Sequence, residues 1–243
     1  MVRGGSVTLT FIAPSWHSVL ARNALTEFDA MWSLPCDWVE APNYRRGGWS
    51  GVTRHQLDTG QWVYVKRQQN QRRRLPQQFW QKRSTYFHEF LALQRLKSAA
   101  IPVVDCLYYG ERADAAILVT LAPPDYIDLA VFARKHNATQ LTIVMMRLLR
   151  VLRRLHRQRW QHGACYPAHV LVHPVTLKIM LLDLERFRKR LSMGAAARSD
   201  FSQLLRRSDF LTPAIRAHLH ELYESAGRRN APVFSLPRDP RNV

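Results

Sequence analysis

The sequence has little cysteine and no long apolar run. Its three cysteines, Cys36, Cys106 and Cys165, are far apart and odd in number, which argues against a disulfide framework and fits a reducing cytoplasm. No Cys/His cluster has the spacing of a zinc site. No stretch approaches the ~18 uninterrupted apolar residues of a membrane-spanning helix, and the N-terminus is too weakly apolar for a signal peptide. We therefore expect a protein that is soluble or only peripheral to a membrane.

Acidic residues are also scarce, with 18 Asp and Glu against 36 Lys and Arg, so the formal net charge is +18. Such a field attracts anions: nucleic acid, anionic lipid headgroups or phosphorylated sugars. Charge alone does not choose among these partners, but no recognisable nucleic-acid-binding motif is present, so no nucleic acid is expected. The 243 residues, 47% of them hydrophobic, suffice for one large domain or two lobes.

The first half of the chain has the pattern of an antiparallel sheet. Short runs rich in β-branched and aromatic residues, such as "WVYVKRQ" at 62–68, are separated by turn signals and predict five strands. Residues 70–78 predict a basic loop. Residues 79–99 predict a helix, because apolar residues recur at helical spacing from Phe79 to Leu96.

The second half is mainly helical. Consecutive prolines in "APPDYIDL" break the pattern, and residues 139–160 then predict the clearest helix, with a leucine stripe and arginines on its other faces. This order predicts an α+β, protein-kinase-like bilobal fold with an antiparallel sheet and one helix in the N-lobe and a mostly helical C-lobe. The predicted divisions are an N-terminal extension (1–35), the N-lobe (36–123), the C-lobe (124–227) and a basic, poorly ordered Pro/Arg tail (228–243).

Three features of the predicted N-lobe follow the order of an ATP site, where catalysis depends mainly on neutralising charge. The glycine-rich "RRGGWSGV" is a candidate phosphate loop, formed by Gly47, Gly48, Ser50 and Gly51. Lys66 lies in a predicted strand, and Glu89 follows 23 residues later on the predicted helix, within reach of an ion pair. The alternatives are a plain hairpin turn and two surface charges, but the order of the three features favours the functional interpretation.

Two aspartates follow in the predicted C-lobe. Asp183 ends the apolar strand "IMLLDL", where a carboxylate is costly unless it is paired or binds a metal. As a hard oxygen ligand it suits Mg²⁺, and the alternatives are a capping role or a salt bridge to a neighbouring arginine. Asp200 could hold a loop backbone from the following helix, or it could be a helix N-terminal residue favoured by the dipole.

The stretch "QHGACYPAHV" (161–170) has the outline of a kinase catalytic loop. It offers His162, Tyr166 and His169 as candidate catalytic residues, but Ala164 stands where such a loop carries an aspartate. Alanine can neither accept a proton nor orient a hydroxyl group.

Four segments together, "DWVEAPNYRRGGWSGV", "VYVKR", "HGACYPAHVLV" and "LLDLERFRKRL", resemble the lipopolysaccharide kinase family, which includes the Kdo and heptose kinases; the resemblance runs from about residue 37 to about 205. It implies a kinase-like fold, ATP and Mg²⁺ as cofactors, and phosphorylation of core sugars in the cytoplasm. By this resemblance Lys66 would be the ATP lysine, Glu89 its partner and Asp183 the magnesium ligand. Active members look like H-R-D-x-Y-x-x-H in the loop, whereas this chain has Gly163 and Ala164 after the histidine.

Two hypotheses follow. The chain is an atypical kinase, in which His169, Glu185 or the substrate takes the proton, or it is a pseudokinase that binds a nucleotide or a partner in a stress response. A kinase would act on an anionic sugar or lipid-linked saccharide. Because the basic surface could contact an anionic membrane, we expect a cytoplasmic protein that can also bind the surface of the inner membrane. The basic runs expected to draw the acceptor are Arg45, Arg46, Lys66, Arg67, Arg72 to Arg74 and Arg188 to Arg190. For most of the individual arginines, a solvated surface is the simpler interpretation.

Overall fold

The computed structural model of the chain describes residues 9–45, 47–75, 78–211, 216, 217 and 221, with the backbone alone at 40, 74, 75 and 78–81. The chain forms two compact units. Unit 1 comprises residues 1–124 and returns for Asp183–Phe187, and unit 2 comprises residues 125–182 and 188–243. Arg46 and the predicted tail over 228–243 lie outside the described residues.

Unit 1 is built around a six-stranded antiparallel sheet. Its elements are β1 (Leu9–Ile12), α1 (His17–Arg22), α2 (Phe28–Trp32), β2 (Trp38–Arg45), β3 (Gly48–Gln56), β4 (Trp62–Gln69), β5 (Arg72–Leu75), β6 (Gln78–Ser84), α3 (Thr85–Ser98), β7 (Cys106–Glu111) and β8 (Ala115–Leu121). The strand order is β1-β7-β8-β4-β3-β2, so β4 lies inside the sheet between β8 and β3.

The sheet has one strand more than the five predicted. The additional strand, β1, pairs antiparallel with β7 and comes from the segment that the sequence sets apart as an extension. Downstream of it, Leu20, Phe28 and Met31 are buried in a hydrophobic cluster with residues of β4, β7 and β8. The described part of this segment therefore contributes both a strand and core side chains to unit 1.

The helix predicted over 79–99 was wrong at its start. Residues 78–84 form β6, and the strand β5 within the basic stretch predicted as a loop pairs with it as a β-hairpin. The helix α3 begins at Thr85 because Ser84 caps it, with its hydroxyl oxygen accepting a hydrogen bond from the backbone N–H of Phe87. The apolar residues at helical spacing are therefore helical only after Ser84, and Phe79, which was predicted to lie in the helix, lies in β6.

Unit 2 is mainly helical. Its elements are β9 (Ile127–Asp128), α4 (Leu129–Lys135), α5 (Ala138–Arg157), β10 (Trp160–Gln161), β11 (Val170–Val172), β12 (Ile179–Leu181), β13 (Arg188–Lys189) and α6 (Met193–Arg206). The strand β11 pairs with both β12 and β9, and β10 pairs with β13. In the described parts of the chain, no helix is both long and apolar enough to cross a membrane.

The helix α5 has the predicted amphipathic pattern. Val144, Leu148, Leu152 and Leu155 are buried along one face, and the side chain of Asn137 caps the first turn by accepting from Gln140 N–H. Exposed arginines occupy the opposite face. The burial of this apolar stripe holds α5 in place and positions the loop that follows it.

Candidate active site and catalytic loop

The central feature of unit 1 is an ion pair between Lys66 and Glu89. Lys66 lies on β4 and Glu89 on α3, and the ammonium Nζ donates to both carboxylate oxygens, at 2.7 and 2.9 Å. The side chains are only 14% and 1% exposed. Burial alone would lower the pKa of Lys66, but the carboxylates of Glu89, Asp183 and Glu185 outweigh it, so this pKa is raised and the lysine stays charged.

Three carboxylates surround this lysine. One oxygen from each of Glu89, Asp183 and Glu185 lies within 4.8 Å of the others. Burial, followed by repulsion from Glu89, raises the pKa of Glu185 to about 7. A single ammonium cannot balance three carboxylates, and a divalent cation with oxygen ligands would do so. The donor set therefore fits Mg²⁺, and Glu185 joins Asp183 as a residue that could hold it.

The backbone of Asp183 is held in the left-handed region, with φ 58°. This conformation is uncommon outside glycine and asparagine or aspartate, and it costs roughly 1–2 kcal/mol for other residues. An aspartate therefore adopts this backbone with little strain.

Tyr86 is a member of this site that the sequence did not reveal. It is 2% exposed, lies one helical turn before Glu89, and places its ring centroid 6.0 Å from Lys66 Nζ. Burial, together with the nearby Glu185, Glu89 and Asp183, raises its pKa well above the usual value, while Ser50 interacts with its hydroxyl. The spacing of three residues between Tyr86 and Glu89 is the only sequence signal for this position.

The fold itself requires glycine at three positions of the candidate phosphate loop. A Cβ at Gly51 would lie 2.3 Å from the ring of Trp38, and one at Gly48 would lie 2.5 Å from the carbonyl oxygen of Gln69. Gly47 adopts φ +74° at the turn between β2 and β3. Close packing and the turn thus account for all three, and their phosphate-binding role stays a prediction.

We expect Gly51→Ala to lower the free energy of unfolding by roughly 1–3 kcal/mol, because the added methyl group overpacks against Trp38. Urea denaturation measures this loss. The matched control is Gly194→Ala in α6, where the nearest atom to an added Cβ is a flexible Arg198 side chain at 3.4 Å, so stability should be retained. An equal loss in both variants would contradict the packing explanation.

Asp200 of unit 2 holds the backbone of the candidate catalytic loop. It is fully buried, and its two oxygens accept hydrogen bonds from the backbone N–H groups of His162 at 2.7 Å and Gly163 at 2.8 Å. A third contact joins it to His156 Nε2 on α5, at 2.9 Å. Asp200 lies in the second half of α6 and not in its first turn, which excludes the alternative of a helix N-terminal residue. Asp200 therefore holds the loop backbone.

The loop residues themselves lie close together in unit 2. His162 is fully buried, and its Nδ1 accepts from the N–H of Ala164 at 3.3 Å. Nδ1 of His169 lies 2.8 Å from the carbonyl oxygen of Ala164, and the ring of Tyr166 contacts that of His169 at a centroid distance of 5.4 Å. The residues predicted for the site are divided between the two units. Unit 1 contains Lys66, Glu89, Asp183 and the candidate phosphate loop, and unit 2 contains His162, Tyr166 and His169.

The expectation that Arg67 helps to attract an acceptor was wrong. Its side chain is 1% exposed, and it donates hydrogen bonds to the carbonyl groups of Trp32 and Leu34 and to the hydroxyl of Thr53. Adjacent strand residues point to opposite faces, so Arg67 is directed away from the face that carries Lys66. It anchors the segment that precedes β2.

Comparison with known proteins gives consistent matches. The model of the family described as "Lipopolysaccharide kinase (Kdo/WaaP) family" matches residues 29–224. The chain is 30% identical to Protein InaA of Escherichia coli (strain K12) over 189 residues, which cover 73% of this chain and 86% of that protein.

Among solved structures, "WaaP in complex with acyl carrier protein" matches with a TM-score of 0.64 and 19% identity, covering 89% of each chain. An aminoglycoside-3'-phosphotransferase of type VIII matches with a TM-score of 0.52 and 18% identity, covering 81% of this chain and 88% of the other. At these identities the likeness concerns the fold, and it confirms the predicted kinase-like α+β architecture.

Proposed function

Because this chain belongs to the lipopolysaccharide kinase (Kdo/WaaP) family, we propose that it transfers the γ-phosphoryl group of ATP to a hydroxyl group of an anionic saccharide, such as a core sugar of lipopolysaccharide. The bond between the β-phosphate bridging oxygen and the γ-phosphorus breaks, a bond from the acceptor oxygen to that phosphorus forms, and the hydroxyl proton is released. The observation that carries this proposal is the buried Lys66–Glu89 pair beside Asp183 and Glu185.

Each member of this group has a proposed role. Lys66 binds the α- and β-phosphates with its charged ammonium, and Glu89 fixes the direction of that ammonium through its two hydrogen bonds. Asp183 and Glu185 would hold Mg²⁺, which neutralises charge on the phosphate oxygens. Tyr86 places its buried ring 6.0 Å from the ammonium of Lys66 and adds an aromatic face beside the charged pair.

The loop has no aspartate to receive the proton, and His169 is the candidate that we propose in its place. A carbonyl oxygen can only accept, so His169 Nδ1 carries the hydrogen of its bond to Ala164. In the neutral ring Nε2 is then the nitrogen able to accept a proton. Positioning and charge neutralisation supply most of the catalysis in phosphoryl transfer, so a weak base does not by itself abolish turnover.

A pseudokinase is the second candidate, favoured by Ala164, which is 5% exposed and whose side chain offers no acceptor group. Purified protein incubated with Mg-ATP and delipidated core oligosaccharide, followed by mass spectrometry, separates the two. A gain of phosphate mass supports the kinase. ATP binding without transfer, unchanged by Ala164→Asp, would favour the pseudokinase.

We expect Lys66→Met to weaken Mg-ATP binding by roughly 10- to 100-fold, the value of a charge-assisted hydrogen bond of about 1.5–3 kcal/mol. Isothermal titration calorimetry measures the dissociation constant. The matched control is Lys97→Met, at the exposed C-terminal end of α3, which should leave it unchanged. Unaltered affinity in a folded Lys66→Met protein would sink the role of Lys66.

For location, we propose cytoplasmic action with peripheral contact to the anionic inner membrane surface. The exposed arginines of α5, Arg150, Arg154 and Arg157, supply a basic helix face in unit 2. Such a face is attracted to anionic headgroups within about a Debye length.

A further inference from the structure

The basic hairpin β5–β6 is fixed to both elements that carry the Lys66–Glu89 pair. At its base, the side-chain amide of Gln68 donates to the carbonyl of Gln71. The amide oxygen of Gln68 accepts from the hydroxyl of Thr85 at 2.5 Å and from the N–H of Tyr86 at 3.1 Å. Gln68 follows Lys66 by two residues on β4, and Tyr86 precedes Glu89 by three on α3, so the hairpin is rooted beside the candidate ATP site.

Like charges face one another across this hairpin. Arg73 is paired with Arg83 and Arg74 with Lys82 in the strand register, an arrangement that destabilises an isolated sheet. On one face the repulsion is relieved, because Arg83 Nε donates to buried Glu111 at 3.0 Å and its guanidinium stacks over Phe87 at 3.8 Å. We name this the inner face of the hairpin.

On the opposite, outer face, the described cationic side chains show no comparable ion pair. Side chains alternate along a strand, so Arg72 and Lys82 fall on the face opposite Arg83. Both are exposed, and neither forms an ion pair with a carboxylate in the part of the chain that the structure describes. Because they are diagonal neighbours in the register, their Cα atoms are about 7–8 Å apart. At this separation, two long cationic side chains can both contact one anionic group.

The outer face also lies close along the chain to α3, the helix that carries Glu89. Lys82 lies two residues before the cap of α3, about 7 Å along an extended strand. A substrate bound on the outer face would therefore lie beside the elements that hold the proposed ATP residues.

We propose that the outer face of the hairpin, Arg72 with Lys82, binds a phosphate or carboxylate group of the saccharide acceptor, an inference that rests on the proposed function. Binding the anion offsets the repulsion between these two exposed cations, and two cations favour acceptors that already bear an anionic group.

The test compares Arg72→Gln/Lys82→Gln with Arg54→Gln/Lys97→Gln, which removes the same charge from exposed positions of unit 1 outside the hairpin. The probe is deacylated lipopolysaccharide core oligosaccharide, with its phosphates intact or removed by phosphatase, titrated calorimetrically without nucleotide. We expect the hairpin variant to bind the phosphorylated probe roughly 3- to 10-fold more weakly, as for two exposed charge contacts, and the control variant to match wild type. Mg-ATP affinity is measured separately and should be unchanged.

Several outcomes would overturn the inference. The first is an equal loss of oligosaccharide affinity in the control variant, and the second is an equal loss of affinity for the dephosphorylated probe. The third is a hairpin variant that binds the oligosaccharide as the wild type does but no longer binds phosphatidylglycerol vesicles. Absence of Mg-ATP binding in the wild type, with the hairpin-dependent affinity still present, would remove the proposed kinase function while supporting the hairpin site.

Discussion

Replacing Asp183 with asparagine is expected to lower the rate of phosphate transfer by at least about a thousandfold, because a metal clamp contributes several kcal/mol to the transition state. Asparagine is the informative variant. It keeps the size of the side chain and tolerates the left-handed backbone at φ 58°, whereas alanine would add strain and confuse stability with chemistry. Initial rates at saturating Mg-ATP, followed by mass spectrometry of the oligosaccharide, measure the effect.

The matched control is Asp105→Asn, a partly exposed aspartate of unit 1 that pairs with Lys97, and it should retain the wild-type rate. Retention of more than about a tenth of the activity in Asp183→Asn would contradict the metal assignment. If the wild type binds ATP without transferring phosphate, the ATP affinity of Asp183→Asn is measured instead of its rate. The Mg²⁺-dependent part of that affinity should disappear.

The second large effect is expected at Asp200. Asp200→Ala should lower the free energy of unfolding by about 3–5 kcal/mol, the cost of removing one partner from a buried charged network. The change removes the carboxylate that accepts from the N–H groups of His162 and Gly163 and contacts the ring of His156. Urea denaturation, with fluorescence and circular dichroism compared to test two-state behaviour, gives the value.

Two further variants sharpen this prediction. Asp200→Asn keeps one oxygen acceptor and should lose less stability than Asp200→Ala. Asp209→Ala, at an exposed position shortly after α6, should lose none. A loss at Asp200→Ala no larger than that at Asp209→Ala would mean that the loop backbone does not depend on this carboxylate.

The order of the elements, together with the resemblance of four segments to a known family, predicted the fold class, and the order of Lys66 and Glu89 predicted their ion pair. A charged residue inside an apolar alternating strand carries a strong signal, because burial without a partner is costly. Glu185 was recognised only as a possible proton acceptor, since spacing alone does not indicate which carboxylates meet in space.

Other features could not be predicted because distant contacts decide them. Residues 79–84 continue the apolar spacing of α3, but pairing with β5 and the cap at Ser84 make them a strand. Arg67 resembles a surface arginine in the sequence, but hydrogen bonds to the carbonyls of residues 32 and 34 and to Thr53 make it a core residue. Local pattern carries no information on such partners.

The return of Asp183–Phe187 to unit 1 has a consequence for biosynthesis. A ribosome that has completed the sheet of unit 1 has still to add residues 125–182 before the two further carboxylates of the acidic cluster exist. A nascent chain at that stage holds Lys66 and Glu89 but not Asp183 or Glu185, so its nucleotide site is incomplete. Closing so long a loop also adds an entropic cost to folding, which makes assembly of the cluster a late event that depends on chain beyond the first unit.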